Sequence, residues 1–181
     1  MSQTVEQEWT AEEKETLIRL LEKVKADDGW WPDEASMRAA HGAMSAWALE
    51  LVVTKWEGDY QHEQKILLAC YEGGVMEFRG MWHIPGGYGT IVDESIEAAC
   101  SRIAQREFGV NVDFIRTFER PYLWRPGEHP YGHPLSLYCL VSPKRVIRET
   151  PSRRFFGRDE LPDNLLPVHR RFIEEELFRL K

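Results

Sequence analysis

Two stretches carry most of the residues that could do chemistry. The first, Trp82-His-Ile-Pro-Gly-Gly-Tyr-Gly-Thr-Ile-Val-Asp-Glu94, is a glycine-rich loop. It feeds a helix-forming stretch that ends Arg102-Ile-Ala-Gln-Arg-Glu-Phe-Gly-Val110. Loop glycines let a backbone approach a ligand closely and present its carbonyls and amides. Glu94 near the helix start suits the helix macrodipole, and Gly109 suits a helix C-cap. Glu94 and Arg102 are eight residues apart, about two helical turns, so they share a face and can pair to hold loop to helix. Further on, Tyr122, Trp124 and Arg125 have the chemistry to stack on a base and contact phosphate. His129 and His133 flank a Pro/Gly loop and could line a pocket, but their spacing is not that of a metal site.

The elements that must position these groups follow from periodicity. Thr10 with Glu13 makes a capping box, and Leu17, Leu20, Leu21 and Val24 predict an amphipathic helix over Ala11–Ala26. Asp27-Asp28-Gly29 ends it, and a second, weaker helix is expected over Glu34–Met44. Strands are expected at Trp47–Trp56, Lys65–Tyr71, Val110–Glu119, Leu135–Val141 and Arg153–Phe156, with one or two short ones in Met76–Ile84. Glu57–Gln64 reads as a hairpin loop and Pro126–Pro134 as a loop. Helices are expected at Ser95–Phe108 and Asn164–Leu180. The order predicts an α+β domain of α/β/α layers, a mixed sheet between helices, over residues 46–181. Residues 1–45 form an N-terminal helical extension that packs against the domain or a second subunit.

The loop and helix together resemble the Nudix box. That pattern is Gly, five residues, Glu, seven residues, Arg-Glu, an apolar residue, any residue, Glu-Glu, any residue, Gly and an apolar residue. The Glu94-to-Arg102 spacing, Glu107, Gly109 and Val110 match it, as do the lead-in Trp82 and Pro85-Gly86-Gly87. The Arg153-Arg-Phe-Phe…Glu160-Leu-Pro segment before a last helix is also common in that family. The resemblance implies the Nudix fold from about Trp47 onward. Three positions depart from it. Six residues, not five, separate Gly87 from Glu94; Ile103 follows Arg102; and Arg106-Glu107 stands for Glu-Glu. Ile103 continues the apolar stripe of Ile96, Ala99 and Cys100 and is expected in the core.

The departures are similar to those of the GDP-mannose mannosyl hydrolase branch, which attacks a nucleotide sugar at the sugar carbon with one Mg²⁺. Carried over, the resemblance implies a Mg²⁺ or Mn²⁺ site made by the Gly86 carbonyl and Glu107. It also implies Arg102 organising the loop or facing the pyrophosphate, Gly87 and Glu94 shaping the loop, and His169 as general base. Arg106 stands where a ligand carboxylate is usual. It either snorkels to solvent or binds phosphate itself in place of the metal's charge. The leading expectation is therefore a Mg²⁺-dependent hydrolase of a nucleoside diphosphate derivative, a nucleotide sugar foremost. One alternative is a catalytically reduced nucleotide-binding or interaction module. Another is a conventional pyrophosphohydrolase with carboxylates from outside the box, such as Glu174 or Glu175.

Composition bounds these readings. The chain has 181 residues, 23 Lys and Arg against 30 Asp and Glu, and a net charge of −7. That balance argues against a nucleic-acid partner, which wants a basic surface, but not against a small phosphorylated ligand held by a few arginines. Cys70, Cys100 and Cys139 form no CxxC pair, so neither a disulfide framework nor a thiolate zinc site is expected. A reducing, cytoplasmic setting follows. The polar, acidic start is not a signal peptide, and no apolar run reaches the length of a membrane span. A homodimer is compatible with the leucine stripe.

Overall fold

The computed structural model describes residues 10–26, 33, 35–36, 47–57, 63–72, 76–90, 93–130 and 134–178. β1 (Trp47–Val52) is the strand about which the rest is arranged. All but its first residue are buried, as expected of a strand covered on both faces. It runs parallel to β8 (Leu135–Pro143), with Leu49 opposite Leu137 and Leu51 opposite Cys139. On its other side it runs antiparallel to β5 (Gly86–Tyr88), with Glu50 opposite Gly86. β6 (Val112–Thr117) and β7 (Tyr122–Leu123) each pair antiparallel with β8 and complete a five-stranded sheet.

A second sheet has four antiparallel strands, namely β2 (Thr54–Glu57), β3 (Glu63–Cys70), β4 (Trp82–His83) and β9 (Arg153–Phe156). The expected mixed sheet is thus one of two. The long strand expected over Trp47–Trp56 is divided between them at Val53, whose carbonyl accepts the Leu67 amide at 2.9 Å.

Alternate residues of the strands face opposite layers. Leu49, Leu51, Val53, Leu67, Cys139 and Val141 pack on Ala99, Cys100, Ile103, Ala104 and Phe108 of α2 (Ile96–Phe108). Val52, Ile66, Leu68 and Tyr138 pack on Val168 and Phe172 of α3 (Pro167–Phe172) and on Ile173. The α/β/α layering read from the sequence is therefore present, and Ile103 is wholly buried. Its burial contributes roughly 1.5–3 kcal/mol, which accounts for an apolar residue at that position.

α2 is bounded as its sequence suggests. Ser95 is the N-cap, its hydroxyl accepting the Ala98 amide at 3.1 Å. Gly109 closes the other end at φ 68°, where a side chain would be strained. The last helix begins later than the expected Asn164, because Pro167 takes the first turn. It widens into a π-helical turn over Ile173–Leu177, with the Phe178 amide on the Ile173 carbonyl at 2.8 Å. α1 (Ala11–Ala26) carries the expected capping box, with Thr10 and Glu13 exchanging bonds of 2.8 and 3.2 Å. Leu17, Leu20 and Leu21 remain exposed, so no core forms on that stripe among the described residues. The expected second helix lies outside the described residues except for Ala35 and Ser36, which are helical.

Candidate functional site

β5 is the floor of the candidate site, and it was read from the sequence as a loop. Its three residues, Gly86-Gly-Tyr88, lack the alternating pattern of a strand, yet they pair with β1 because glycine permits the close approach. A Cβ at Gly86 would lie 2.0 Å from Glu50 Oε2 and 2.6 Å from the Leu49 carbonyl. Both are far inside contact distance, so that backbone position has room only for hydrogen.

Two arginines of α2, one turn apart, reach down to this floor. Arg102 Nη2 donates to the Tyr88 carbonyl at 3.0 Å, and Arg106 Nη2 donates to the Gly86 carbonyl at 2.8 Å. Arg106 Nε also donates to Glu107 Oε1 at 2.8 Å. One guanidinium thus engages both groups expected to bind the metal. Arg106 does not snorkel away. A Cβ on Gly87 would come within 2.5 Å of its Nη2, so the glycine makes the bed in which the guanidinium lies. Arg153 Nη1 donates to the Glu107 carbonyl at 2.7 Å, satisfying an orphan carbonyl at the α2 C-terminus with a cation.

The ion pair that ties loop to helix differs from the expected one. Arg102 grips Asp93, not Glu94. Its Nε donates to Asp93 Oδ1 at 2.8 Å and its Nη2 to Oδ2 at 2.7 Å. The Thr90 amide donates to the same Oδ2 at 2.7 Å. The Arg102 guanidinium first, and the Thr90 amide and hydroxyl after it, hold the Asp93 carboxyl below its ordinary range. Glu94 is exposed. Five residues separate Gly87 from Asp93, so the loop keeps the family spacing up to its carboxylate. The additional residue falls between that carboxylate and the arginine. Helical spacing alone favoured Glu94, but Asp93 precedes the Ser95 cap, and its short side chain folds back under Thr90.

Behind the floor stands a buried polar wall. Trp124 Nε1 donates to Ser136 Oγ at 2.9 Å, and Ser136 Oγ donates to Glu50 Oε1 at 2.8 Å. Glu50 is 5% exposed. Burial pushes its carboxyl up to about 7, the Ser136 bond opposes that shift, and the nearby Glu107 charge adds to it. His169 is 2% exposed, with Nδ1 3.3 Å from Tyr138 Oη. Burial holds it well below its ordinary range, and the neighbouring His83, Arg171 and His129 reinforce this. The His83 ring lies 6.2 Å from that of His169, and burial brings His83 down to about 4. His129 bonds Tyr88 Oη at 3.1 Å and packs edge-on to Trp124; His133 lies outside the described residues.

The structure brings Gly86, Gly87, Arg102, Arg106 and Glu107 together and separates the other expected residues. Tyr122 points into the core, its ring edge-on to Tyr138 and Phe172 and its hydroxyl on Glu175 at 2.9 Å. Trp124 is buried in the wall rather than offered for stacking, and Arg125, two residues beyond β7, is exposed. Glu174 pairs with Arg170, and Glu175 is held by Tyr122. Among the described residues, neither of these outside carboxylates has a partner at the loop. Glu50, Ser136, His83 and Asp93 were missed. For Glu50 a signal existed, since it is the lone charge in Trp47–Val53, and a charge buried in such a strand needs a reason.

A divalent cation does not fit these donors as they stand. Mg²⁺ wants an oxygen shell at about 2.0–2.1 Å with one or two carboxylates. Here the carbonyl and the carboxylate are both bonded to a cation, and placing a second positive charge between them would be repulsive. Among the described residues no group of three His, Cys, Asp or Glu side chains could hold a metal ion.

No protein-family profile and no curated protein sequence matches this chain. Solved structures do. NrtR of Shewanella oneidensis superposes with TM-score 0.52 at 16% identity, covering 71% of this chain and 60% of that one. A Nudix hydrolase of Nitrosomonas europaea gives 0.52 at 17% identity, over 74% and 73%. A MutT Nudix hydrolase of Burkholderia pseudomallei gives 0.51 at 21% identity, over 70% and 94%. The chain thus matches about three-fifths of the NrtR length, and that NrtR has also been solved with a 27mer DNA. At such identities the likeness is one of fold, and the fold of this chain is the Nudix fold.

Proposed function

We propose that this chain hydrolyses a nucleoside diphosphate derivative, with nucleotide sugars of the GDP-mannose kind as the leading substrate class. One observation carries the reading: Arg102 and Arg106 converge on the Gly86–Tyr88 carbonyls directly beside the buried carboxylate of Glu50. A cationic edge suits a diphosphate, and a carboxylate held near 7 by burial suits proton transfer at neutral pH. In the proposed reaction water attacks the sugar carbon, the carbon–oxygen bond to the diphosphate breaks, and the water proton passes to a protein base. Arg106 offsets charge on the departing diphosphate, and Glu107 holds Arg106 in place.

Glu50 is a better-placed base than His169. Its carboxylate lies against Gly86 of the site floor, whereas the His169 ring packs on Trp124 and Tyr138 with its Nδ1 on the Tyr138 hydroxyl. The Mg²⁺ or Mn²⁺ implied by the resemblance would use Gly86 and Glu107, whose oxygens Arg106 engages, so no step is routed through a metal. A small nucleotide rather than a nucleic acid is the partner, supported by the net charge of −7. The three free cysteines agree with a cytoplasmic setting.

A panel of nucleotide sugars and dinucleotides, assayed with and without Mg²⁺ and read by product, tests this. The expected products are nucleoside diphosphate plus free sugar. Nucleoside monophosphate plus a phosphorylated remainder would place attack at phosphorus instead. The Arg106 contacts favour a second reading, a binding module without turnover; it predicts nucleotide binding in calorimetry with no product from any compound.

A further inference from the structure

We infer that the Arg106 guanidinium is a built-in cation that takes the place of a divalent metal, so that the cleft binds a diphosphate group without one. This inference rests on the proposed diphosphate-bearing ligand. The oxygens of the cleft are used in a way that excludes sharing with a metal. Gly86 O and Glu107 Oε1, the two oxygens a metal would need, are each 2.8 Å from Arg106 nitrogens. The loop is shaped to the guanidinium, because Gly87 leaves the space that Nη2 fills. The other carboxylates nearby are committed: Glu50 is buried with Oε1 on Ser136, and Asp93 is forked by Arg102.

What remains of Arg106 faces outward. Its side chain is 43% exposed, and among the described residues Nη1 donates to no protein group. With Nε and Nη2 on Glu107 and Gly86, Nη1 is the nitrogen left to donate to a phosphate oxygen, a charge-assisted bond backed by the delocalised positive charge of the whole guanidinium. Unlike a metal, it cannot be removed by chelation.

The first experiment needs no nucleotide. Mn²⁺ is titrated into the full chain and followed by electron paramagnetic resonance. The wild type should leave the free-ion signal unchanged. Arg106→Glu removes the cation and puts a carboxylate beside Glu107; it should gain Mn²⁺ binding, and Arg106→Glu with Glu107→Gln should lose it again. The second experiment uses inorganic pyrophosphate in calorimetry. The wild type should bind it equally well in EDTA and in Mg²⁺, and Arg106→Gln should weaken that binding about tenfold or more while keeping its melting temperature within a few degrees.

Arg106→Gln introduces no new charge, so it serves if Arg106→Glu does not fold. Wild-type Mn²⁺ binding that Glu107→Gln abolishes would overturn the inference. So would pyrophosphate binding that requires Mg²⁺, that ignores Arg106→Gln, or that fails under both conditions. Failure of the hydrolase reading looks different: no compound in the panel turns over, while the Mn²⁺ and pyrophosphate results stand.

Discussion

The rim and the wall of this site meet at Gly86 and treat charge in opposite ways. On the rim, Arg102, Arg106 and Glu107 are partly open to solvent, and Asp93, its side chain nearly closed off, is paired with Arg102. In the wall, Glu50 and His169 are enclosed and His83 is half-buried, and desolvation drives each toward its neutral form, the carboxyl upward and the imidazoles downward. The difference shows how one sheet edge offers a fixed cation and a titratable group side by side. Asp93, closed off but gripped by a guanidinium, is held below its ordinary range, whereas Glu50, closed off with only a hydroxyl partner, is pushed above it.

The largest effect should come from closing the junction between the two. Gly86→Ala puts a methyl 2.0 Å from Glu50 Oε2 and 2.6 Å from a backbone carbonyl that cannot swing aside. Overpacking of this kind costs about 3 kcal/mol. For a chain of this size the melting temperature should fall by roughly 6–12 °C. A melt within a degree of wild type would mean that β5 does not sit against β1 as described.

Next is the wall's own charge. The Glu50 carboxyl is raised from 4.5 to about 7 on folding. A raised acid contributes stability that is fully present below its unfolded value and is lost as pH rises through the folded value. The window is therefore about pH 4.5 to 7. Glu50→Gln should stabilise the protein at pH 8 by roughly 2–3 kcal/mol and change little at pH 4. The imidazoles of the wall run the other way, losing stability as pH falls from 6.5 through about 4 for His83, so the variant must be compared with wild type at each pH. A pH-independent difference in chemical denaturation would show that Glu50 is not desolvated.

A smaller effect is expected on the rim. Asp93→Asn keeps the shape but removes the charge that Arg102 and Thr90 hold. The cost should be about 1–2 kcal/mol, with earlier proteolytic cutting in the Gly86–Glu94 segment. If Glu94→Gln loosened the loop as much, the pairing read from helical spacing would be the true one.

These cases also mark what was legible beforehand. The α2 helix, its Gly109 cap and Ile103 in the core follow from local periodicity and cap chemistry, the layered architecture follows from the order of elements, and the gathering of Gly86, Arg102 and Glu107 was implied by the resemblance to the Nudix box. The choice of Asp93 over Glu94 does not, because it depends on where the backbone leaves the loop. The wall was hidden for a different reason. Glu50 and Ser136 are 86 residues apart, and only the parallel pairing of β1 with β8 brings them together. β5 was hidden because glycines that permit close strand pairing carry no β pattern of their own.

The smallest effect should come from Arg125, which belongs to neither region. Along Tyr122–Arg125 burial alternates, with Tyr122 and Trp124 inward and Leu123 and Arg125 outward. The Glu128 carboxylate is reached by the Arg125 backbone amide at 2.7 Å, and its remaining bonds go to Arg171. Among the described residues, removing the Arg125 side chain leaves the hydrogen bonds of that turn in place. Arg125→Ala should change stability by less than about 0.5 kcal/mol and leave pyrophosphate affinity unchanged in calorimetry. Stacking and phosphate contact were expected together from Tyr122, Trp124 and Arg125, but both rings are buried while Arg125 is exposed. A loss of affinity at constant melting temperature would extend the cationic rim to this strand, and Arg106 would no longer be sufficient to account for diphosphate binding.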